Sequence, residues 1–329
     1  MEIDARTIRR ANANDSKKSR GQFFTRANPF RHAAFRTWAA QAGLPNENVL
    51  EPFAGANHLI DSLRLEGLCN RFRAYDIEPA HPQVVLLDTL KDFPTGHRVC
   101  VTNPPWLGKN SATRRGYAYP SDKYDDLYKH CLELCLRNCD YVAALIPASF
   151  LQSNLFFERL QSCILLQRTL FTDTDNPVCL ALFSDQLFTP IDLYNDHEHI
   201  GTLAQLQKFL PRPKSCNTLA GEKVRFNDPK GALGFISFDN TKAPSIRFCH
   251  AEQLKDYEIK ESSRFITRID CDFRGAELEK IVARLNRRID SFRANTHDVF
   301  LTPFKGIRQD GKYRRRMKFS LARSFIHAL

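Results

Sequence analysis

Several features that would place this sequence in a familiar class are missing from it. No apolar run approaches the roughly 20 residues that a membrane-spanning helix needs, so we expect no membrane segment. Residues Met1 to Arg20 are polar and basic and contain no apolar stretch, which is unlike a secretory signal. We therefore expect a cytoplasmic protein that does not act at a membrane.

Ten cysteines are present, but they do not have the pattern of a disulfide-rich protein. They are scattered through predicted strands and helices, unlike those of a small secreted scaffold, and we expect reduced thiols. Cys131, Cys135 and Cys139 recur at four-residue steps and so share one face of a predicted helix, where small apolar residues pack well. We interpret them as packing residues and expect no metal site.

The net charge of +11 is concentrated at the two ends of the chain. Residues 1–26 carry a charge of +4 and residues 300–329 a charge of +7, so the middle is neutral. Basic segments suit a polyanion, because each phosphate that they neutralise releases counterions; solvated tails are the alternative. Phe319 and Phe325 among the C-terminal cations favour a segment that docks. The candidate phosphate contacts are Arg114, Arg115, Lys305, Arg308, Lys312, Arg314, Arg315, Arg316 and Lys318.

Strands and helices alternate along the first half of the chain. Strands are predicted at Val49–Leu50, Phe72–Ile77, Gln83–Leu87, Arg98–Thr102, Tyr141–Ile146 and Val178–Phe183, and helices at His32–Ala42, Leu59–Gly67 and Asp125–Asn138. This alternation predicts an α/β fold with a doubly wound, mostly parallel, Rossmann-like sheet, whose ligands bind beyond the carboxyl ends of the strands. Glu51, Asp76, Asp88 and Asn103 lie at such ends. The polar segment Lys109–Lys123 predicts a long mobile loop.

The alternation fades after about residue 190, where prolines and glycines interrupt the pattern. We divide the chain into a basic flexible arm at residues 1–20, an α/β domain at residues 21–190 and a smaller α+β domain at residues 191–329. In the last of these, an apolar stripe at helical spacing predicts a helix over Ala276–Arg288.

The segment Asn103-Pro104-Pro105-Trp106 follows an apolar strand and offers hydrogen-bond acceptors beside an aromatic ring. The two prolines fix local φ angles and remove two backbone donors, so the Asn103 side-chain oxygen and the Pro104 carbonyl can face one amine. Trp106 can stack on the ring that carries this amine. A strand that merely ends at a proline is the alternative for this segment alone.

Three other segments precede this one: Gly21-Gln22-Phe23-Phe24-Thr25, Val49 to Asn57, and Ala74-Tyr75-Asp76-Ile77-Glu78. In this order, the four segments resemble the amino-type adenine DNA methyltransferases in their gamma arrangement, over roughly residues 20–185. The resemblance implies S-adenosyl-L-methionine as the cofactor, a flipped-out adenine in double-stranded DNA as the substrate, and a C-terminal domain that recognises the target sequence. Family habit also implies a monomer on DNA, no metal, and a cognate restriction endonuclease acting separately on the same site.

The resemblance also assigns roles to individual residues. It implies cofactor contacts by Thr25, Glu51, Phe53, Gly55, Asp76, Ile77 and Asp88, catalytic roles for Asn103, Pro104, Pro105 and Trp106, and stacking of the target base against Trp106 and Phe171. The chain departs from the family at Asn57, where a second glycine is frequent. Asparagine tolerates left-handed backbone angles better than most residues, so we expect cofactor binding to be retained.

The ring amine of adenine is a poor nucleophile, because its lone pair is delocalised. Hydrogen bonds to Asn103 Oδ1 and the Pro104 carbonyl would favour a tetrahedral nitrogen that attacks a methyl group in line. The sequence has no Pro-Cys dipeptide, which the cytosine-carbon methyltransferases use as a nucleophile. The alternatives are methylation of adenine in RNA, of the cytosine amine or of protein glutamine, and a catalytically silent nucleic-acid-binding module.

Overall fold

The computed structural model describes residues 28–166, 177–187, 189–212 and 224–329. The predicted basic arm, Thr25 and Phe171 lie outside these residues. The described chain divides into two compact units. The first contains the residues up to Phe150 and Asn154–Thr202, and the second contains Leu151–Ser153 and Leu203–Leu329.

The first unit is built on a sheet that has nine strands within the described residues. The strands are β1 (Asn48–Glu51), β2 (Arg71–Asp76), β3 (Val84–Leu86), β4 (Val99–Thr102), β5 (Tyr141–Pro147), β6 (Leu160–Leu166), β7 (Val178–Phe183), β8 (Asp192–Asn195) and β9 (Glu198–Thr202). The helices are α1 (Ala33–Ala42), α2 (His58–Leu65), α3 (Lys109–Arg114) and α4 (Leu127–Asn138), with 3-10 turns at Pro29–Arg31, Leu44–Asn46 and Ala148–Gln152.

The strand order is β3-β2-β1-β4-β5-β7-β6-β8-β9. Strands β1 to β5 pair in parallel, and β7 is antiparallel to its neighbours β5 and β6. The chain therefore runs outward from β1 to β3 and then resumes on the other side of β1 with β4. Because parallel crossovers are right-handed, the helices of the two halves fall on opposite faces. The predicted doubly wound, mostly parallel α/β sheet is confirmed, and its switch point lies between β1 and β4.

The central strands β5 and β7 are almost wholly apolar because a sheet covered on both faces must bury both sets of side chains. All residues of β4 and β7 are buried. Helix α1 packs Phe35 and Trp38 into this core, and the Trp38 indole N–H donates to the Phe183 carbonyl at 2.9 Å. The helix ends at Ala42, since Gly43 adopts a left-handed backbone with a φ of 67°.

The second unit combines antiparallel strands with helices, as predicted for an α+β domain. Its main sheet has the order β10-β13-β11-β12 and is accompanied by the β14-β15 hairpin. The strands are β10 (Arg225–Phe226), β11 (Leu233–Ile236), β12 (Arg247–His250), β13 (Ile266–Asp270), β14 (Thr302–Ile307) and β15 (Tyr313–Arg316), and the helices are α5 (Leu203–Gln207), α6 (Gly275–Thr296) and α7 (Phe319–His327), with a 3-10 turn at Ala251–Leu254.

Two details differ from the sequence-based expectation. Strand β8 pairs in parallel with β6, and β9 pairs with β8, so the first sheet extends beyond the predicted boundary at residue 190. Helix α6 is also longer than predicted, because its buried face continues through Ile289 and Phe292 to Thr296. Within the described residues, no helix combines the length and the apolar character that crossing a membrane requires.

The described cysteines are buried and carry free thiols. Cys131 and Cys135 lie on the buried face of α4, and Cys139 follows its last residue. Burial raises the pKa of the Cys131 thiol well above its usual value. Across the parts of the chain that the structure describes, no group of three or more His, Cys, Asp or Glu side chains could hold a metal ion.

Candidate active site

A cavity of about 320 Å³ lies at the carboxyl ends of the first unit's parallel strands. The site residues predicted from the sequence that line it are Glu51, Phe53, Gly55, Asp76, Ile77, Asp88, Asn103 and Pro105. They come from the last residues of β1 and β2 and from the loops after β1, β2, β3 and β4, which meet at one edge of the sheet. This is the edge at which open α/β sheets bind ligands, at the switch point of the strand order.

The turn between β1 and α2 is shaped by left-handed backbone and by bonds to β2. Gly55 has a φ of 52° and Asn57 a φ of 64°. The Ala54 N–H donates to the Tyr75 carbonyl at 2.8 Å, and the Asn57 N–H donates to the Ala54 carbonyl at 2.7 Å. Asn57 thus adopts the left-handed conformation that glycine would adopt most readily. The turn forms even though asparagine stands where the resembling family frequently has a second glycine.

Asp76, the last residue of β2, fixes this turn from the neighbouring strand. Its Oδ2 accepts from the Gly55 N–H at 2.8 Å, and its Oδ1 accepts from the Glu78 N–H at 2.8 Å. The Asp76 side chain also lines the cavity, and a carboxylate can accept hydrogen bonds from hydroxyl groups of a ligand. The adjoining Ile77 is 55% exposed and lines the cavity, where it offers an apolar surface to a planar ring.

The loop after β3 is tied to the loop after β1. The Thr89 hydroxyl donates to the Pro52 carbonyl at 3.0 Å. Asp88 Oδ1 accepts from the Leu90 N–H at 3.2 Å, and its Oδ2 pairs with the Lys91 Nζ at 3.1 Å. The Asp88 side chain keeps 27% of its surface exposed, so it can also accept a hydrogen bond from a ligand.

Glu51, the last residue of β1, is the most unusual group of the site. It is 1% exposed, and neither carboxyl oxygen makes a hydrogen bond of ordinary geometry with a described residue. Burial raises the pKa of Glu51 from 4.5 to about 8, against a smaller opposing effect of the nearby Thr102 hydroxyl and Asn103 backbone. The Thr102 hydroxyl is itself buried without a hydrogen-bond partner among the described residues. A buried carboxyl without hydrogen-bond partners is costly to maintain in a folded protein, and a cationic ligand in the cavity would favour its ionised form.

The Asn103-Pro104-Pro105-Trp106 segment follows β4 and is only partly presented to the cavity. Asn103 and Pro105 line the cavity, whereas Pro104 and Trp106 do not. Trp106 is 7% exposed, so the face predicted to stack on a base is covered in this structure. The other predicted wall, Phe171, lies outside the described residues.

The segment after Trp106 is more ordered than the predicted loop over Lys109–Lys123. It starts with helix α3, and its two ends meet where Gly108 bridges Asp126. The Lys109 N–H donates to the Asp125 carbonyl at 2.8 Å, and the Leu127 N–H donates to the Leu107 carbonyl at 3.0 Å. The prediction of a long mobile loop over Lys109–Lys123 is therefore wrong for Lys109–Arg114, which form a helix.

Sequence reasoning missed several residues that line the cavity. Tyr117 and Ala118 reach it from the segment between Gly108 and Asp126, and His58 and Leu127 reach it from the starts of α2 and α4. The aromatic and polar composition after Trp106 was a signal for Tyr117. His58 could have been found from its position directly after the Gly55 turn.

The basic residues predicted to contact phosphates fall into two groups. Arg114, Arg115, Lys305, Lys312 and Lys318 are exposed, while Arg314 and Arg316 are half-buried. By contrast, Arg308 and Arg315 are 6% and 8% exposed. Arg308 pairs with the buried Asp239 at 3.2 Å and with Asp310 at 2.8 Å. We therefore withdraw Arg308 and Arg315 from the candidate phosphate contacts, because burial leaves them little surface for a ligand.

Neither a protein-family model nor a curated protein matches this sequence. Among solved structures, a modification subunit of a putative type I restriction enzyme from Vibrio vulnificus YJ016 is similar at 16% identity and a TM-score of 0.38, over 57% of this chain and 50% of that chain. A putative class I S-adenosylmethionine-dependent methyltransferase from Listeria monocytogenes is similar at 15% identity and a TM-score of 0.35, over 51% of this chain and 67% of that one.

A putative RNA methyltransferase from Pyrococcus horikoshii is similar at 14% identity and a TM-score of 0.35, over 57% of this chain and 100% of that chain. The match with the Vibrio subunit spans only half of that protein's length. Structural similarities with identities and TM-scores this low assign neither an activity nor a substrate to this chain.

Proposed function

We propose that this protein transfers a methyl group from S-adenosyl-L-methionine to the exocyclic amine of adenine in double-stranded DNA. The observation that carries the proposal is that one cavity collects Glu51, Asp76, Ile77, Asp88 and Asn103 from four separate segments of the chain. These five residues are among those that the family resemblance assigns to cofactor and substrate, and their shared cavity at the switch point of the sheet supports the proposal.

The lining of the cavity suits the parts of this cofactor. Asp76 would accept hydrogen bonds from the ribose hydroxyls, Ile77 would pack against the adenine ring, and Asp88 would accept from the adenine amine. The buried Glu51 carboxyl would be ionised and satisfied by the positively charged methionine portion. When bound, S-adenosylmethionine would supply an electrophilic methyl group on a positively charged sulfur.

The chain's own contribution to the transfer is to position the amine. Asn103 Oδ1 and the Pro104 carbonyl would accept hydrogen bonds from the two N–H groups of the target amine. These bonds favour a tetrahedral nitrogen with its lone pair directed at the methyl group. Positioning of this kind needs no covalent intermediate on the protein. Trp106 would stack on the flipped base once the residues that bury it move aside, and Phe171 would be the second stacking residue.

The second unit would recognise the target sequence, and the protein would act as a monomer on DNA. A restriction endonuclease that acts separately on the same site would be its functional partner. The exposed Arg114 and Arg115, next to the cavity-lining Tyr117, would contact phosphates beside the flipped base.

The proposal is tested by incubating the protein with radiolabelled cofactor and, separately, duplex DNA, single-stranded DNA, RNA or a mixture of ribosomal proteins. We expect label in duplex DNA and expect digestion to recover it as N6-methyladenine. Label only in RNA or protein would reject the DNA substrate. Cofactor binding without label in any polymer would instead identify a catalytically silent binding module.

A further inference from the structure

One face of the second unit combines three phenylalanine rings with two arginines. Phe304 stacks on Phe238 with ring centroids 4.7 Å apart, and Phe265 meets Phe304 edge-on at 5.5 Å. The Arg314 guanidinium lies 4.6 Å from the Phe304 ring centroid, and the Arg316 guanidinium lies 5.7 Å from that of Phe265. We call these five residues the phenylalanine-arginine surface.

Contacts with main-chain groups hold this surface in place at three positions. Arg314 lies on β15, where its Nε donates to the Asp239 carbonyl at 2.8 Å and its Nη1 donates to the Lys305 carbonyl at 2.9 Å. Phe238 bridges Arg316 in antiparallel fashion. The Phe265 carbonyl accepts from the Ser237 N–H at 2.8 Å. The Arg314 guanidinium and the main chain that carries the Phe238, Phe265 and Arg316 side chains are therefore in place before any ligand arrives, which lowers the entropic cost of binding.

Positive charge at this surface is not balanced by nearby carboxylates. Within the described residues, Arg264, Lys305, Arg314 and Arg316 form no ion pair. The pKa of Arg316 is lowered by burial and by the like charge of Arg264, which places a second guanidinium close to it. Asp239 is fully buried and engaged by Arg293 and Arg308, and Asp310 in the turn of the hairpin pairs with Arg308 at 2.8 Å. An anion would therefore meet uncompensated cations here.

Packing alone does not account for Phe265. Its ring is 46% exposed, although it belongs to a cluster whose other two phenylalanines are half-buried. An exposed aromatic ring beside unpaired arginines is the arrangement by which proteins hold nucleic-acid strands, with bases on the rings and phosphates on the cations. Bases inside a duplex have their faces covered by their neighbours, so such a ring favours an unpaired base.

We infer that the phenylalanine-arginine surface binds a nucleic-acid strand by stacking one unpaired base on Phe265 while Arg316 and Lys305 contact the adjacent phosphates. This inference rests on the proposed function and deepens it, because it names a surface of the second unit that holds DNA. Arg314 positions the Phe304 ring behind Phe265 and contributes to the positive field.

The test uses the full-length chain and fluorescence anisotropy with a labelled DNA single strand, its duplex, and RNA of the same sequence. Phe265→Ala should lower the affinity for the single strand about tenfold. Phe209→Ala is the matched control, because Phe209 is 45% exposed in the same unit and lies outside the surface. Phe265→Leu preserves apolar bulk without a ring and should also lose affinity, whereas Phe265→Trp should retain it.

The phosphate contact is tested separately by salt dependence. Arg316→Gln should reduce the slope of log affinity against log salt concentration by about 0.7 for a single strand. Arg225→Gln, at a residue paired with Asp270 at 3.0 Å, should leave the slope unchanged. The thermal unfolding midpoint of each variant shows whether it is folded, and Phe265→Leu keeps the test valid if Phe265→Ala is destabilised.

The outcomes separate this inference from the proposed function. If methyl transfer to DNA proceeds and Phe265→Leu binds the single strand as tightly as Phe209→Ala does, strand binding by the phenylalanine-arginine surface is refuted. The proposed function is then retained. If Phe265 is needed for binding RNA but the protein neither binds nor methylates DNA, the surface stands and the DNA substrate is refuted.

Discussion

Replacing Glu51 by glutamine should stabilise the cofactor-free protein and make its stability less dependent on pH. Glu51 is 1% exposed, and burial raises the pKa of its carboxyl from 4.5 to about 8. Below pH 4.5 the carboxyl is protonated in both the folded and the unfolded chain, so it contributes no pH dependence. As the pH rises toward 8, the unfolded chain loses this proton while the folded protein retains it, and the free energy of unfolding falls.

The magnitude follows from the two pKa values. The decrease in the free energy of unfolding is complete near pH 8 and amounts to at most about 5 kcal/mol. About 3 kcal/mol of this decrease is reached at pH 7. Glutamine has nearly the same shape and carries no charge, so Glu51→Gln should raise the free energy of unfolding by up to about 3 kcal/mol at pH 7 and by less than about 1 kcal/mol at pH 5.

The assay is urea denaturation without cofactor at a series of pH values. The wild type, Glu51→Gln and Glu198→Gln are compared, and the control residue Glu198 is an exposed glutamate of β9 in the same unit. A difference between wild type and Glu51→Gln that stays constant from pH 5 to pH 8 would refute the buried, proton-retaining carboxyl. The same substitution should weaken binding of S-adenosylmethionine and abolish the increase in affinity with pH that we expect for the wild type.

Three further predictions concern individual side chains. Asn103→Ala should reduce the rate of methyl transfer by about 10²- to 10³-fold and leave cofactor affinity unchanged in equilibrium dialysis, since we propose that its side-chain oxygen accepts from the target amine; equal loss of cofactor binding would give Asn103 a structural role. Ile77→Ala should weaken cofactor binding about tenfold without lowering the thermal unfolding midpoint, because Ile77 is 55% exposed; a large fall in the midpoint would contradict its assignment to a ligand. Arg293→Ala should lower the free energy of unfolding in urea by about 3–5 kcal/mol, because it leaves the fully buried Asp239 without its bidentate partner at 2.7 and 2.9 Å. A decrease no larger than that caused by Arg225→Ala, at an exposed arginine, would show that Arg308 alone satisfies Asp239.

The parts of the site that could be predicted from the sequence are those that local signals determine. Strand patterns ending at or just before Glu51, Asp76 and Asn103 identified the strands, and the parallel arrangement then brought their carboxyl ends to one edge. The conformation of Asn57 could likewise be anticipated, because few residues other than glycine tolerate a φ of 64°.

The parts that could not be predicted depend on contacts between residues far apart in the sequence. Arg308 and Arg315 belong to a basic run that suggested a phosphate-binding segment, yet they bond to Asp239, which lies 69 and 76 residues earlier. Since Leu301 and Phe325 belong to the core of the second unit, removing residues after 300 would disrupt folding, and single substitutions are the better test of DNA binding.

We propose that the amine of adenine in DNA is methylated in the cavity formed by Glu51, Asp76 and Asn103. The most direct test is mass spectrometry of nucleosides from the DNA of cells that express the wild-type protein or Asn103→Ala, combined with methylation-sensitive sequencing. We expect N6-methyladenine at one recurring sequence with the wild type and none with Asn103→Ala. Methylated cytosine in its place, or N6-methyladenine confined to RNA, would refute this function.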